Sequence, residues 1–244
     1  MKTTGHTILI TGGTSGIGLA FAKEFQLLGN TVIICGRRQS RLTEIEQSHR
    51  GIITRVCDVA DSKDREDLAH WVISNYPGVN VLINNAGVQL LADLTKPVDL
   101  TRVNSEVETN FIAPVHLTSL FAQHLSTKTD AAIINISSGL AFVPIAFMPV
   151  YCATKAAIHS LTLSLRYQLR NTPVKVFEIA PPAVDTELGS DRRADKSQSH
   201  GGLAVQEFLK EAMEAIANDT LEAPIAGAKN LREKGEAMFA IMNS

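Results

Sequence analysis

The sequence predicts an α/β fold of three layers, in which a doubly wound parallel sheet carries helices on both faces. Six short runs rich in β-branched residues are apolar almost throughout, which is typical of strands buried on both faces of a parallel sheet. Stretches with helical periodicity separate these runs, and such alternation implies right-handed crossovers. Hydrophobic residues make up 45% of the 244 residues and charged residues 20%, which supports a sizeable core.

The elements follow one another in a regular order. Helical periodicity follows the first strand in GLAFAKEFQLLG, the second in SRLTEIEQSHR and the third in DREDLAHWVISNY. No break in composition, internal repeat or long linker interrupts the alternation, so residues 1–244 are expected to form one domain. The predicted strands are residues 6–11, 31–35, 51–57, 79–85, 131–137 and 174–180.

One polar segment stands apart from this pattern. Residues 189–202 (GSDRRADKSQSHGG) are charged and contain several glycines, and two predicted helices follow them. One interpretation is a surface loop. The other is a mobile lid, within residues 187–225, over a site at the carboxyl ends of the strands.

Charge and cysteine content argue against several classes of function. The formal net charge is −2, so no basic field invites nucleic acid. The N-terminal segment has too short an apolar run for a signal peptide or a membrane span. The cysteines Cys35, Cys57 and Cys152 lie far apart, which suits buried thiols in a reducing compartment, with a reactive Cys152 as the alternative. A cytoplasmic protein is expected, with neither a membrane partner nor a metal site.

A glycine-rich loop joins the first strand to the first helix. The segment ILITGGTSGIGLAFAKEF runs through Thr11, Gly12, Gly16 and Gly18 into the helix. Glycines permit a tight turn and let backbone N–H groups approach a pyrophosphate, and the helix N-terminus adds a positive dipole. This position between strand and helix is the one that a dinucleotide-binding Rossmann motif requires, whereas a plain βα turn is the alternative.

The segment YCATK places Tyr151 and Lys155 four residues apart, on one face of a predicted helix. A tyrosine with its ordinary pKa of about 10 exchanges protons poorly near neutrality, and a nearby ammonium lowers that pKa. Ser138 lies 13 residues before Tyr151, at the strand edge where open α/β sheets hold ligands. Ser137 points to the opposite face, so it is assigned to hydrogen bonding in the turn or core. The alternative for Tyr151 is an ordinary helix tyrosine.

Asn110 begins another predicted helix, NFIAPVHLTSLF. Pro114 lacks the N–H group that would bond to the Asn110 carbonyl, four residues earlier. The freed carbonyl is then available to hold a water molecule. The alternative is a kink that Pro114 forces without any further role.

Together these motifs resemble the short-chain dehydrogenase/reductase (SDR) superfamily in its compact, single-domain branch. The glycine spacing T-G-x-x-x-G-x-G, CDVAD (57–61), NNAG (84–87), Asn110, Ser138 and YCATK occur in the family's order over residues 5–187. The C-terminal segment and SGLAFxPxxxxPVYCATKAA look most like the oxidoreductases called DltE-like. This resemblance implies a Rossmann fold and hydride transfer between a carbonyl and a secondary alcohol.

The resemblance also implies roles for four catalytic residues. Tyr151 would protonate the developing alkoxide, and Ser138 would hydrogen-bond the same oxygen. Lys155 would lower the tyrosine pKa and bind the nicotinamide ribose. Asn110 would hold a water that relays protons.

The end of the second strand indicates which nicotinamide cofactor is preferred. Gly36 stands where SDR enzymes that prefer NAD tend to carry Asp, and Arg37 follows, so NADP(H) is predicted over NAD(H). Arg38 is a further candidate, although a solvated helix start explains it as well. The other cofactor contacts that the resemblance implies are Gly12, Thr14, Ser15, Gly16, Ile17, Gly18, Asp58, Val59, Asn85, Ala86, Gly87, Tyr151, Lys155, Pro181, Val184 and Thr186. The resemblance implies that the turn from Asn84 stabilises the sheet and lines the adenine ribose. Asn84 is also a candidate turn-capping amide, and the two roles do not exclude each other.

The substrate and the partners are less specified. Residues 139–150 are almost wholly apolar, which favours a small apolar carbonyl substrate contacted by Leu140, with core packing as the alternative. Rival functions are an NADP(H)-binding sensor and a carrier-protein-dependent 3-oxoacyl reductase with Arg166 and Arg170 as its docking patch. A homodimer through the helices carrying Asn110 and Tyr151 is expected, with a tetramer as the alternative.

Overall fold

The protein's computed structural model describes residues 1–189 and 201–244, and its strands form one parallel sheet. The strands are β1 Thr7–Thr11, β2 Thr31–Gly36, β3 Ile52–Val56, β4 Val79–Asn84, β5 Ala132–Ile136, β6 Lys175–Ala180 and β7 Glu222–Pro224. Their order in the sheet is β3-β2-β1-β4-β5-β6-β7. The order reverses between β1 and β4, which is where open α/β sheets bind ligands.

Helices connect and cover these strands. They are α1 Gly16–Leu27, α2 Gln39–Ser48, α3 Ser62–Asn75, α4 Leu100–Val107, α5 Ala113–Leu125, α6 Pro149–Gln168, α7 Val205–Ala217, α8 Gly227–Lys234 and α9 Phe239–Met242. A π-helical segment, Glu108–Ile112, joins α4 to α5. No helix in the described ranges is both long and apolar enough to cross a bilayer.

The core lies on both faces of the sheet because successive strand residues point to opposite sides. On β1, Ile8 and Ile10 belong to the apolar cluster that includes Phe21 of α1 and Phe208 of α7. Leu9, between them, belongs to a second cluster with Phe121 of α5. All three β1 side chains are fully buried. This arrangement explains the continuous apolar runs in the sequence.

The sequence prediction of the fold class is confirmed. All six predicted strands form, with bounds that differ from the predicted ones by at most one residue. The C-terminal segment adds only the three-residue β7, as its composition suggested. Most of the predicted loop or lid at 189–202 lies outside the described residues, and the described part of 187–225 contains α7 and β7.

Candidate active site

The glycine loop packs directly against the segment that follows β4. A Cβ atom on Gly12, whose φ is +64°, would lie 2.8 Å from the Ala86 Cα, and one on Gly18 would lie 2.5 Å from the Gly12 carbonyl oxygen. Asn85 Nδ2 donates to the carbonyls of Thr11 (2.8 Å) and Gly12 (3.2 Å). Residues larger than glycine therefore do not fit at positions 12 and 18. The Asn85 side chain, just after β4, holds the loop backbone in place.

The start of α1 has the features of a phosphate site. The N-cap residue Ser15 makes no side-chain capping hydrogen bond, which leaves first-turn N–H groups for another acceptor. Thr186, from the segment after β6, approaches so closely that a Cβ on Gly16 would lie 3.2 Å from the Thr186 Cβ. Ile17 packs onto the core and anchors the helix. The predicted residues of the loop and of the β6 segment are thus brought together.

Gly36 is required by packing as well as by any cofactor. A Cβ atom there would lie 2.8 Å from the Thr14 Cγ2. The glycine at the end of β2 therefore allows the glycine loop to lie against that strand. The lack of an acidic side chain at position 36 therefore has a steric reason, the contact with Thr14, in addition to the cofactor preference that the sequence suggested.

The arginines after β2 form ion pairs. Arg37 Nη1 lies 3.8 Å from Asp58 Oδ2, and Arg38 Nη2 lies 3.6 Å from Glu187 Oε2. Arg41 Nη2 also contacts Glu187, at 3.3 Å. Arg38 is thus more than the solvated helix start that its sequence context favoured. Glu187 and Arg41 escaped sequence reasoning because their partners lie far apart along the chain.

Arg65 is a buried residue that fixes the wall near Val59. Its Nη1 donates to the Val59 carbonyl at 2.6 Å, and its Nε donates to His116 Nδ1 at 3.0 Å. The same guanidinium lies 3.6 Å from Glu108, in the π-helical segment. The sequence held a signal for it, because Arg65 shares a helical face with Leu68, the next buried position along α3.

The predicted helix break at Asn110 is confirmed as a π-helical turn. The N–H group of Ala113 bonds to the Glu108 carbonyl five residues earlier, and Pro114 lies in the first turn of α5. The Asn110 side chain, buried, accepts from the Val88 N–H at 2.9 Å and donates to the Val88 carbonyl at 2.8 Å. It also donates to Thr154 Oγ1 of α6 at 3.2 Å. Asn110 therefore ties the chain after β4 to α6, and its role in holding water stays a prediction.

Tyr151 and Lys155 lie together on α6, and both are buried. Lys155 Nζ lies 5.6 Å from the centroid of the Tyr151 ring and donates to the Ile136 carbonyl at 2.9 Å. Burial lowers the pKa of Lys155 to about 8. A Cβ atom on Gly87 would lie 3.8 Å from this Nζ and 3.5 Å from Asn110 Oδ1, so Gly87 leaves room where the two side chains converge.

Ser138 lies two residues after the end of β5, at the predicted edge of the sheet. Its Oγ accepts from the Leu140 N–H at 3.1 Å, and the Gly139 N–H donates to the Pro181 carbonyl at 2.8 Å. The adjacent Ser137 bonds through its N–H to Ile179 (2.9 Å), but its buried hydroxyl has no partner among the described residues. Among the described residues, Ser137 therefore takes part in the hydrogen bonding of the turn through its main chain and not through its hydroxyl.

Asn84 belongs to the sheet and is not a turn-capping amide. It is the register partner of Asn135, and its Nδ2 donates to Asn135 Oδ1 at 2.9 Å. Asn135 in turn donates to Thr162 Oγ1 of α6 at 2.9 Å. This buried polar chain links the two central strands to the helix that carries Tyr151.

An apolar cluster surrounds Tyr151. It contains Ile145, Met148 and Cys152, with Leu140 and Met242 packed against it. Burial raises the pKa of the Cys152 thiol, which argues against the reactive-cysteine alternative. Val184, farther along the chain, is also buried and pairs with Leu203 through an isolated bridge.

A surface cleft of about 440 Å³ includes Ala146 and Phe147 from the segment between Ser138 and Tyr151, but none of the predicted site residues lines it. Asn243 closes one side of it, since it accepts from the Ala146 N–H at 2.5 Å and donates to the Pro144 carbonyl at 3.1 Å. Sequence reasoning missed this contribution of the last helix. The cleft is lined by Ala92, Asp93, Ala146, Phe147, Met242, Asn243 and Ser244.

Comparison with known proteins decides the family. A family model described as short chain dehydrogenase matches residues 6–197. The chain belongs to the short-chain dehydrogenase family. This short-chain dehydrogenase is 49% identical over 230 residues to the uncharacterized oxidoreductase DltE of Bacillus subtilis (strain 168), covering 91% of each chain. The resemblance to DltE-like oxidoreductases is thereby confirmed.

Solved structures agree on the fold. A short-chain dehydrogenase/reductase from Burkholderia phymatum in complex with NAD superposes with a TM-score of 0.86 and 22% identity, covering 100% of this chain and 97% of that one. A short chain dehydrogenase from Burkholderia cenocepacia J2315 in complex with NADP gives a TM-score of 0.82 and 22% identity, over 96% and 94%. These solved structures show the same fold, and the family match makes this short-chain dehydrogenase an oxidoreductase.

Replacing Gly12 of this short-chain dehydrogenase by alanine is expected to raise the Kd for NADPH about tenfold or more, equivalent to ~1.4 kcal/mol. The added Cβ would collide with the Ala86 backbone and push apart the two segments that form the cofactor cradle. Fluorescence titration with NADPH measures the effect. Gly5→Ala is the matched control, because Gly5 also has a positive φ (+79°) but has nothing within 4 Å of an added Cβ. Equal weakening in both variants would contradict a specific role for the Gly12 contact.

Proposed function

We propose that the protein is an NADP(H)-dependent oxidoreductase that interconverts a small apolar carbonyl compound and the corresponding secondary alcohol. One observation carries the proposal: the ammonium of the buried Lys155 lies 5.6 Å from the ring of Tyr151, and that ring is packed in an apolar cluster. A cation in a dry site favours the phenolate form of a neighbouring tyrosine. Tyr151 is then suited to exchange a proton near neutral pH.

Each residue of the proposed site has its own role in the reaction. The nicotinamide, when bound, supplies or accepts the hydride. In reduction, Tyr151 donates its phenolic proton to the oxygen that develops negative charge, and Ser138 Oγ hydrogen-bonds the same oxygen. Lys155 stabilises the phenolate that is left behind. Asn110, through its bonds to Val88 and Thr154, holds the chain after β4 against α6, and a water at its main-chain carbonyl would return a proton by way of Lys155 to Tyr151.

The cradle fits a dinucleotide. Gly12 and Gly18 have no space for side chains, and the start of α1 has first-turn donors for a pyrophosphate. Asp58, Val59 and the segment 85–87 would line the adenosine half, whereas Pro181, Val184 and Thr186 would border the nicotinamide half. Arg37 would hold the 2′-phosphate of NADP(H). In the structure Arg37 forms an ion pair with Asp58 at 3.8 Å, and both side chains are largely exposed. Such a pair contributes little stability, so a phosphate can readily replace Asp58 as the partner of Arg37.

The Arg37→Ala variant is expected to bind NADPH about 10- to 100-fold more weakly, which corresponds to the ~1.5–3 kcal/mol of a charged hydrogen bond. Its affinity for NADH should change less than about threefold, because NADH lacks the 2′-phosphate. Titration of both cofactors measures the two constants. Arg50→Ala is the control, since Arg50 is an exposed arginine outside the cradle. Equal losses for NADPH and NADH would remove Arg37 from 2′-phosphate recognition.

The reaction itself is tested with a panel of carbonyl compounds. The purified protein is mixed with NADPH and with small aliphatic and aryl ketones or aldehydes, and with sugars as polar comparators, while NADPH absorbance is followed. Turnover on the apolar compounds is expected to exceed turnover on the sugars. Tight NADPH binding without turnover on any compound would favour the sensor alternative.

The carrier-protein alternative finds less support in the structure. Arg166 Nε donates to the Val176 carbonyl at 2.9 Å, and its Nη2 bonds to the Leu221 carbonyl, so this guanidinium serves the sheet edge. The Arg170 guanidinium stacks on Tyr167, 3.8 Å from the ring centroid. Neither arginine presents the unengaged cation that an acidic carrier would need.

A cytoplasmic homodimer is part of the same proposal. The helices α5 and α6 carry exposed apolar side chains, Val115 on the first and Leu163 and Tyr167 on the second. Helices with such side chains suit an interface between two copies. Sedimentation analysis of the purified protein would distinguish a dimer from a tetramer.

A further inference from the structure

A second cluster of potential ligands lies one helical turn beyond Lys155. His159 belongs to α6, Glu178 to β6 and Glu222 to β7. Glu178 and Glu222 are register partners in neighbouring parallel strands, so their side chains project from the same face of the sheet. Like charges directly opposite each other destabilise a sheet. This pairing therefore needs a positive group between or beside the two carboxylates.

Glu178 is the member that its surroundings leave incompletely paired. Its side chain is 0% exposed. One carboxylate oxygen, Oε2, lies 2.8 Å from His159 Nδ1, whereas Oε1 has no hydrogen-bond partner within the part of the chain that the structure describes. A buried carboxylate oxygen without a partner carries a large desolvation penalty.

Neither neighbouring arginine donates to Glu178 among the described contacts, and Arg232 pairs with Glu222 inside the cluster. Arg166 donates to the main-chain carbonyls of Val176 and Leu221, and Arg232 Nε donates to Glu222 Oε1. Their charges act on Glu178 from a distance, but among the described contacts neither guanidinium donates to it. Glu178 Oε1 therefore has no direct donor among the described residues.

The geometry points to a divalent transition-metal site, and we propose that His159, Glu178 and Glu222 bind a cation of the Zn²⁺ type. One imidazole nitrogen and two carboxylate oxygens lie within 4.8 Å of one another. At metal–ligand distances of about 2.0–2.2 Å two ligand atoms lie about 3–3.5 Å apart, so His159 Nδ1 and Glu178 Oε2, now 2.8 Å apart, would separate slightly to admit the ion. The set of one imidazole and two carboxylates suits zinc or manganese better than calcium, which prefers oxygen ligands alone.

The site would have a structural role next to the active site. The cation takes the place of the proton between His159 and Glu178, and Phe142 already orients the imidazole, edge to face at a centroid distance of 5.1 Å. The ligands come from α6, β6 and β7, so the metal would fasten the catalytic helix to the edge of the sheet. No metal-ligand spacing is visible in the sequence, because the three ligands belong to distant segments of the chain.

Metal binding to the chelator-treated, full-length protein tests the proposal. Calorimetric titration with Zn²⁺, and separately with Mn²⁺, should show one equivalent bound per chain for one of these ions. Its saturation should raise the Tm by about 5 °C or more, since a ligand that binds only the folded state stabilises it. In the Glu222→Gln and His159→Gln variants, the same measurements should show neither the bound equivalent of metal nor the rise in Tm. Neither variant changes Glu178, which is fully buried and whose replacement would destabilise the fold.

Glu211→Gln is the matched control, because Glu211 is an acidic side chain paired with Lys229 outside the cluster. This variant should bind metal as the wild type does. Failure of the wild type to bind either ion would overturn the proposal. Retention of the equivalent by His159→Gln and Glu222→Gln would also overturn it, since the metal would then sit elsewhere. Neither readout involves turnover, so the outcome is independent of the proposed oxidoreductase reaction.

Discussion

Replacing Tyr151 by phenylalanine is expected to lower kcat about 10³-fold, within the 10²- to 10⁴-fold range that general acid catalysis supplies. The substitution removes one hydroxyl from a side chain that is 5% exposed and packed among Ile145, Met148 and Cys152. The ring keeps its place, so the Kd for NADPH should change by less than about threefold, or ~0.7 kcal/mol. Loss of turnover without loss of binding would then report on proton transfer alone. Single-turnover measurement of NADPH oxidation on a compound that the wild type reduces separates the two quantities.

Tyr167→Phe is the matched control for this experiment. Tyr167 lies on the same helix α6, but it is 67% exposed and stacks on Arg170. Its kcat should equal that of the wild type. A Tyr151→Phe variant that keeps full activity would show that another group donates the proton, and it would remove Tyr151 from the mechanism.

What the sequence could predict depends on how local the signal is. The six strands were readable because each is buried on both faces, so that β1 (Thr7–Thr11) presents Ile8, Leu9 and Ile10 to two different core clusters. The pair Tyr151 and Lys155 was equally readable, since one helical turn fixes their spacing. The break near Asn110 followed from Pro114, whose missing N–H interrupts the helical hydrogen bonds.

The rest depended on contacts between distant segments. Glu187 pairs with Arg38 and Arg41 across more than a hundred residues, and no local pattern marks it. The juxtaposition of Glu178 and Glu222 follows from the register of β6 and β7, which the sequence alone does not fix. Arg65 is the intermediate case, because its place on the buried face of α3 was visible but its partners were not.

Lys155→Met is expected to abolish most activity, by about 10²- to 10⁴-fold, and yet to stabilise the apoprotein near neutral pH. Burial lowers the pKa of Lys155 from the ordinary value of 10.5 to about 8 in the folded state. A shift of that size corresponds to about 3 kcal/mol by which folding disfavours the ammonium. Methionine has a similar length and no charge, so it removes that penalty. It also leaves the Ile136 carbonyl without its donor, which costs about 1–3 kcal/mol.

The pH dependence has a definite sign. Below pH 8, lysine is protonated in both the folded and the unfolded chain, and the folded wild type bears the whole penalty. Between pH 8 and 10.5 the unfolded chain binds more protons than the folded one, so wild-type stability rises with pH across this window. The advantage of Lys155→Met, about 0–2 kcal/mol at pH 7, should therefore shrink and then reverse as the pH approaches 10.

Urea unfolding of the wild type and Lys155→Met at pH 7 and pH 10 measures this difference, with Lys210→Met as the control on an exposed lysine of α7. The control should show no change in relative stability between the two pH values. A Lys155→Met protein that is less stable than the wild type by the same amount at both pH values would show that Lys155 is not desolvated in the folded chain. The expected result would give the activity and the stability of the apoprotein a common cause. The dry surroundings that make the ammonium expensive to bury also make it act strongly on the phenol of Tyr151, so activity and apoprotein stability oppose each other at this position.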